Sequence, residues 1–332
     1  MKLKVDNGKL KFPFPKSQLN IKHSTLKNIP PFLKPGDTIG VTCPSGYVSA
    51  ERVQHAIVVL ERWGFKTVLG KTVGNEFHYF SGDDATRLAD LQAMLDDPNI
   101  DAILMGRGGY GLSRIIDQID FTKFVQRPKW ICGFSDITVL HSHIQAQYGI
   151  PTIHSVMCGA FKPETEEADY ILSFRKALMG EALSYSFAPS PYNRVGEVSS
   201  KIVGGNLAML SHLTGSASQI DTAGKILFIE DIGEHLYHID RMLLNLKRSG
   251  QLSKLKGLLV GSFTDIEDTD RPFGQSLEQI ISDKVKEYDF PVAYNFACGH
   301  DEVNYTLVLG AEHLFMVTEE HISLQLLMPP IA

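Results

Sequence analysis

Only four cysteines occur in the 332-residue chain, and no two of them, Cys43, Cys132, Cys158 or Cys298, stand at Cys-x-x-Cys spacing. Neither a zinc site nor a disulfide framework is indicated, and free buried thiols in a reducing compartment are expected. Long hydrophobic runs are missing too: no stretch approaches the roughly 18 apolar residues of a membrane span. The lysine-rich start (Lys2, Lys4, Lys9, Lys11, Lys16, Lys22, Lys27) lacks the apolar segment and cleavage site of a secretory signal. We therefore expect a cytoplasmic protein that does not engage membranes. A basic excess is also absent: 38 acidic against 32 basic residues give a formal net charge of -6. That argues against a nucleic-acid partner and for a small neutral or zwitterionic one. No internal repeat or low-complexity segment is present.

What the chain does contain is an ordinary globular mixture, 43% hydrophobic and 21% charged, long enough for two domains. Residues 1–28 read as an extension that wraps loosely on the body or stays mobile. The body begins at the turn Leu33-Lys34-Pro35-Gly36-Asp37 and continues with a strand over Thr38 to Thr42 and the loop Cys43-Pro44-Ser45-Gly46. A helix from Ala50 to Trp63, a strand from Phe65 to Val68, a helix from Asp83 to Leu95 and a strand from Ala102 to Met105 follow. This alternation is the rhythm of a parallel sheet covered by helices.

The stretch KWICGFSDITVLHSHI, Lys129 to Ile144, organises that half. Trp130 to Phe134 suit a buried strand, while Val139, Leu140, His143 and Ile144 fall at helical spacing. A serine on such a strand-to-helix turn, Ser135, exposes its hydroxyl beside a helix N-terminus, the outline of a nucleophile elbow. The alternative is that Ser135 or Asp136 simply caps the helix. The second glycine of the usual Gly-x-Ser-x-Gly form is absent.

Gly106-Arg107-Gly108-Gly109-Tyr110-Gly111 matches the Gly-x-Gly-x-x-Gly dinucleotide fingerprint between a strand and an expected helix. It is not on the domain's first strand, and no acid stands about twenty residues on. Three uses stay open: a nicotinamide site built on Gly106, Gly108 and Gly111, an oxyanion hole beside Ser135, or a tight turn.

The run from Ala188 to Ser200, with Pro189, Pro191, Asn193 and Gly196, is the expected linker. It separates a domain over 29–187 from one over 201–332. In the second half, strands are expected at Lys201 onward, at Lys225 to Glu230 and at Gly257 to Phe263. Helices are expected at His238 to Arg248 and Leu277 to Tyr288, with short strands from Val292 to Thr318. Glu230 ends an apolar strand, and His300, one of twelve histidines, follows Gly299 in a loop between apolar strands. A serine hydrolase needs such a base, and a carboxylate to orient it.

The blocks LKPGDTIGVTCPSG, GRGGYG, GFSDIT, IVGGNL, FIEDIGEHLYHIDRML and GHDEVNYTLVLG, in this order, resemble the serine LD-carboxypeptidases, or murein tetrapeptide carboxypeptidases. That family includes the microcin C self-immunity peptidases. The resemblance runs from about Leu33 to the C-terminus. It implies an α/β fold: a flavodoxin-like N-terminal domain bearing the nucleophile and a smaller C-terminal α/β domain bearing acid and base, with the site in the cleft between them. It further implies Ser135 as nucleophile, Glu230 as orienting acid and His300 as base. The oxyanion hole would use the backbone N–H groups of Asp136 and of Gly109 or Gly108. It implies a homodimer, no metal and no other cofactor, and as substrate a murein tetrapeptide losing its terminal D-alanine across an L,D-amide bond. The leaving carboxylate needs a cationic or N–H partner, for which Arg107 is the nearest candidate. The other readings carried forward are a peptidyl-nucleotide amide as substrate, a nicotinamide-dependent oxidoreductase, and a non-catalytic binding protein. Two departures from the family pattern, Val308 in place of a usual proline and the N-terminal extension, are expected to affect the cleft rim or dimer contacts.

Overall fold

The computed structural model describes residues 29–327 and, ahead of them, two short antiparallel strands, β1 (Val5–Asp6) and β2 (Lys9–Leu10). The rest of the extension expected over 1–28 lies outside the described residues. From there strand and helix alternate: β3 (Thr38–Thr42), α1 (Ala50–Arg62), β4 (Lys66–Leu69), α2 (Asp84–Asp96), β5 (Ala102–Met105), α3 (Thr122–Gln126), β6 (Trp130–Gly133), α4 (Thr138–Tyr148), β7 (Thr152–His154) and α5 (Asp169–Met179). Ser49 and Asp83 cap α1 and α2 through hydrogen bonds from the N–H groups of Arg52 and Thr86. Gly149 and Gly180 end α4 and α5 at φ 63° and 72°, a region that favours glycine.

The five strands lie in the parallel order β4-β3-β5-β6-β7. This is the flavodoxin-like order, whose switch point falls between β3 and β5, and ligands bind outside the strand ends at such a point. Both faces are covered, so the apolar runs of β5 and β6 are continuous and fully buried. Side chains still alternate: Ala102 and Leu104 join one core cluster with α1 and α5, and Ile103 and Met105 join the other with α2 and α4. Fully burying each of the larger side chains, Ile103, Leu104 and Met105, contributes about 1.5–3 kcal/mol.

The second sheet holds β8 (Ser184–Phe187), β9 (Gly196–Asn206), β10 (Ile226–Ile232), β11 (Gly257–Thr264), β12 (Val292–Ala293), β14 (Glu312–Val317) and β15 (Ile322–Leu326), in the order β12-β11-β10-β9-β14-β15-β8. Strands β9 to β12 pair in parallel, while β14, β15 and β8 add an antiparallel flank. Helices α6 (Leu207–His212), α7 (Leu236–Arg248) and α8 (Leu277–Val285) accompany it, the last with a capping box between Ser276 and Gln279. The remaining strand, β13 (Leu307–Leu309), crosses back and pairs antiparallel with β7 of the first sheet.

The sheets therefore divide the chain differently from the sequence expectation. Ser184–Phe187, expected in the first domain, belongs to the second sheet through β15. The expected linker 188–200 already contains the start of β9, because Gly196 to Ser200 pair with β14. Val308, expected to act at the cleft rim or in dimer contacts, is fully buried opposite Ile153 in β13.

Candidate active site

Three strand ends of the first sheet converge. After β6 the chain turns at Ser135, whose φ of 67° is left-handed, a conformation that costs a non-glycine residue about 1–3 kcal/mol and persists only where its surroundings impose it. One constraint is the glycine loop after β5. A Cβ on Gly108 would lie 2.9 Å from Ser135 Cβ and 3.1 Å from its Oγ, so only glycine fits there without displacing the serine. The Gly108 carbonyl accepts from Gly46 N–H at 3.0 Å, which ties this loop to the one after β3.

Neither Ser135 nor Asp136 provides a side-chain cap to the turn or to α4. The buried Asp136 carboxylate instead binds sideways: Oδ2 accepts from Ser45 Oγ at 2.6 Å and from Leu112 N–H at 2.9 Å. It thus connects all three loops, and burial pushes its pKa up. Gly106–Gly111 leads into short 3-10 turns, Leu112–Arg114 and Ile116–Gln118, not into the expected α-helix. The helix N-terminus that a dinucleotide pyrophosphate requires is therefore missing after this loop.

The second sheet supplies the other groups. Along β10, Ile226 and Phe228 face the cluster containing Cys298, Leu307 and Leu309, and Leu227 and Ile229 face the opposite one. The same alternation carries Glu230 to the Cys298 side. The strand runs on to Ile232, so Glu230 sits inside it and not at its end as expected, with an irregularity against β11 between Ile229 and Asp231. Gly299, at φ 137°, passes so close that a Cβ there would lie 2.9 Å from both Glu230 Cβ and Oε2. Only glycine brings the next residue, His300, over the carboxylate.

His300 Nδ1 lies 2.7 Å from Glu230 Oε2, and its Nε2 lies 2.9 Å from Ser135 Oγ. A carboxylate oxygen accepts, so Nδ1 carries the proton and Nε2 presents its lone pair to the serine hydroxyl. Glu230 is fully buried, and the His300 side chain is only 14% exposed. Phe134 packs on the His300 ring with centroids 4.7 Å apart. Where the two sheets meet, Asn206 N–H donates to Thr138 Oγ1 at 3.0 Å, joining β9 to the helix behind the serine.

The N–H groups of Gly108 and Gly109 donate to no other protein group among the described residues. The first-turn N–H groups of a helix likewise lack intrahelical partners, which includes that of Asp136. Of the two glycines, Gly108 lies against Ser135, whereas Gly109, at φ 102°, faces the Tyr79 hydroxyl. Arg107 donates to the Tyr47 carbonyl at 2.7 Å and lines a cleft of about 270 Å³ together with Arg52, Phe134, Lys162, Asp301 and Glu302. Among the described residues no group of three or more His, Cys, Asp or Glu side chains is placed to hold a metal ion, and no helix is long and apolar enough to cross a membrane. Ser45, Phe134 and Thr138 escaped the sequence reading as site-forming residues, since nothing in their local pattern distinguishes them from loop or core positions.

Comparison with known proteins gives this arrangement a family. Residues 39–155 match the LD-carboxypeptidase N-terminal domain and residues 199–314 the LD-carboxypeptidase C-terminal domain. A probable murein peptide carboxypeptidase of Bacillus subtilis is 34% identical over 304 residues, covering 89% of this chain and 94% of that protein. The microcin C7 self-immunity protein of Escherichia coli is 26% identical over 325 residues, covering 87% and 93%. The crystal structure of a muramoyltetrapeptide carboxypeptidase from Oxalobacter formigenes superposes with a TM-score of 0.78 at 28% identity, covering 89% of this chain and all of that one. The chain belongs to the LD-carboxypeptidase family of peptidases, and its two α/β domains are those of that family.

Proposed function

We propose that the protein is a serine LD-carboxypeptidase that removes the terminal D-alanine of a murein tetrapeptide. The observation that carries this reading is the hydrogen-bonded chain Ser135 Oγ, His300 Nε2, His300 Nδ1, Glu230 Oε2, at 2.9 and 2.7 Å. His300 takes the hydroxyl proton as Ser135 attacks the amide carbonyl, and the buried Glu230 carboxylate stabilises the imidazolium that forms. The N–H of Asp136, with that of Gly109 or Gly108, holds the tetrahedral oxyanion. His300 then protonates the departing amine, D-alanine leaves, and water, activated by the same imidazole, clears the acyl-enzyme. Arg107, exposed on the cleft beside Phe134, is the candidate partner for the leaving residue's carboxylate. In this reading the enzyme recycles peptidoglycan peptides in the cytoplasm as a homodimer; the homodimer and the recycling role rest on the family resemblance.

A second reading, the same chemistry on a peptidyl-nucleotide amide, draws support from the likeness to the microcin C7 self-immunity protein. Tyr110 on the glycine loop and Tyr79 beside it, 46% and 51% exposed, offer rings on which a base could stack. Mass spectrometry of the protein and its Ser135→Ala variant, incubated separately with a murein tetrapeptide and an aminoacyl sulfamoyl nucleoside, tests both. Loss of D-alanine from the tetrapeptide by the wild type alone supports the first reading. Cleavage of the nucleoside alone selects the second, and equal activity of the variant removes Ser135 from the mechanism.

A further inference from the structure

Behind the Ser135–His300 pair lies a histidine with no role in the steps above. His154, the last residue of β7, is fully buried, and neither of its ring nitrogens has a hydrogen-bond partner among the described residues. Its ring lies 5.6 Å from Phe134, the residue before the serine, and 5.1 Å edge-on from Phe228, two residues before Glu230 on β10. It thus touches the supports of both partners. Burial holds its pKa well below the ordinary histidine value, so the ring is neutral, with one N–H and one lone pair.

The Asn304 side chain acts on this imidazole as a hydrogen-bonding neighbour. Asn304 is 3% exposed and its Oδ1 accepts from Gly299 N–H at 3.0 Å, which fixes the residue before His300. That bond assigns the amide: Nδ2 points the other way and is itself without a partner. An unpartnered buried donor and an unpartnered buried lone pair on neighbouring residues are each costly when left open, and one hydrogen bond between them satisfies both. The backbone gives the pair its reach. Asn304 lies three residues before Leu307, whose Cα pairs with that of His154 across β7 and β13.

We propose that His154 and Asn304 form a positioning pair, in which Nδ2–H of Asn304 donates to His154 and the His300 loop of the second sheet is thereby held in register with Ser135 of the first. The inference rests on the reading of Ser135 as nucleophile and His300 as base. It asks no proton transfer of His154, which touches no reacting atom. The loop from Gly299 to Thr306 spans the two sheets, and its position sets the His300–Ser135 distance. A misplacement of that distance by about 1 Å can cost a hundredfold in rate.

The test follows modification of Ser135 by a fluorophosphonate, read by intact mass, which needs no knowledge of the natural substrate. The proteins are wild type, His154→Phe, His154→Gln, Asn304→Ala and the double variant His154→Phe/Asn304→Ala, each with its thermal melt. His154→Phe keeps a ring between Phe134 and Phe228 but offers no lone pair, whereas His154→Gln offers an amide oxygen to Asn304. The expected result is that His154→Phe and Asn304→Ala each slow modification by roughly tenfold or more. The double variant should be no slower than the worse single one, and His154→Gln should recover most of the rate at unchanged melting temperature. Should His154→Phe fail to fold, His154→Leu, which also lacks a lone pair, takes its place, and a slowed His154→Leu beside a normal His154→Gln supports the pair. Single variants that react like wild type, or a double variant whose loss is the product of the two single losses, would overturn it. A wild-type protein that is not modified at all would instead remove the nucleophile reading on which the pair depends.

Discussion

Ser135 and His300 are separated by 165 residues along the chain and by 2.9 Å between Oγ and Nε2. Different sheets deliver them, and the loop that joins those sheets, from Gly299 to β13, carries the histidine itself. Removing either group should therefore abolish turnover without unfolding the protein. For Ser135→Ala and His300→Ala the expected loss in kcat is about 10^4 to 10^6, and for Glu230→Gln it should be smaller by one or two orders of magnitude, as for the carboxylate of a serine-protease triad. Steady-state kinetics beside a circular-dichroism melt checks this. A Glu230→Gln variant as inactive as Ser135→Ala would assign the carboxylate a larger part than orientation.

Gly108 and Gly109 separate two kinds of glycine requirement. At Gly108 the obstacle is steric, because a methyl group would press on Ser135 at 2.9 Å. At Gly109 it is conformational, because φ is 102°. Gly108→Ala should lower kcat at least tenfold while the melt moves little, since the strained serine yields first. Gly109→Ala should cost about 1–2 kcal/mol of stability, seen as a lower urea midpoint. Removing the Tyr79 hydroxyl, the nearest atom to that methyl, should not restore it. Equal kinetic losses in the two variants would show that the loop responds as one unit.

Much of this architecture is legible in local pattern. The expected strand over Ala102 to Met105 matches β5, and the helix starts at Ala50 and Leu277 agree, because apolar runs, caps and glycines are local signals. The pairing of distant strands is not local. Ser184–Phe187 is too short and too exposed to announce which sheet it joins, and its place depends on β15 about 140 residues later. The candidate site shows the same split. Ser135, Glu230 and His300 could be named from motif blocks, but the roles of Phe134, Asn304 and Ser45 in placing them arise from contacts across the fold. The Gly106–Gly111 fingerprint misleads for a related reason: its three glycines match, while the helix that would give them meaning is replaced by 3-10 turns.

The Asp136 carboxylate provides a test of how the three loops are held. Its Oδ2 accepts from Ser45 Oγ and Leu112 N–H, and its Oδ1 has no protein partner among the described residues. Asp136→Asn keeps one acceptor but adds an N–H donor to a buried site. Asp136→Ala leaves the Leu112 N–H without a partner. We expect Asp136→Ala to lose about 1–3 kcal/mol and Asp136→Asn to lose less. Both should raise amide exchange at Leu112 as measured by hydrogen exchange. Unchanged exchange there would mean that the glycine loop is held by the Gly46 bond alone.

Burial lowers the pKa of four buried imidazoles among the described residues, His141, His143, His154 and His313, and of these His141, His154 and His313 are displaced furthest. Burial lowers the pKa of His141 and of His313 to about 4, and that of His154 well below its ordinary value. In the unfolded chain each titrates near the usual 6.5 or so. Between these limits the unfolded state binds more protons, so stability rises with pH across the window. The contribution of each neutral ring is present above about pH 6.5 and is lost as pH falls through its lowered pKa, about 4 for His141 and His313. His313 offers the cleanest probe, because it lies in β14, away from the candidate site, and its Nδ1–H donates to the Ala311 carbonyl at 3.0 Å. An asparagine there can make the same donation without titrating. Melting temperatures recorded from pH 7 to pH 4 should fall for the wild type, and more shallowly for His313→Asn. Parallel curves for the two proteins would place the acid sensitivity elsewhere, in carboxylates and not in this ring.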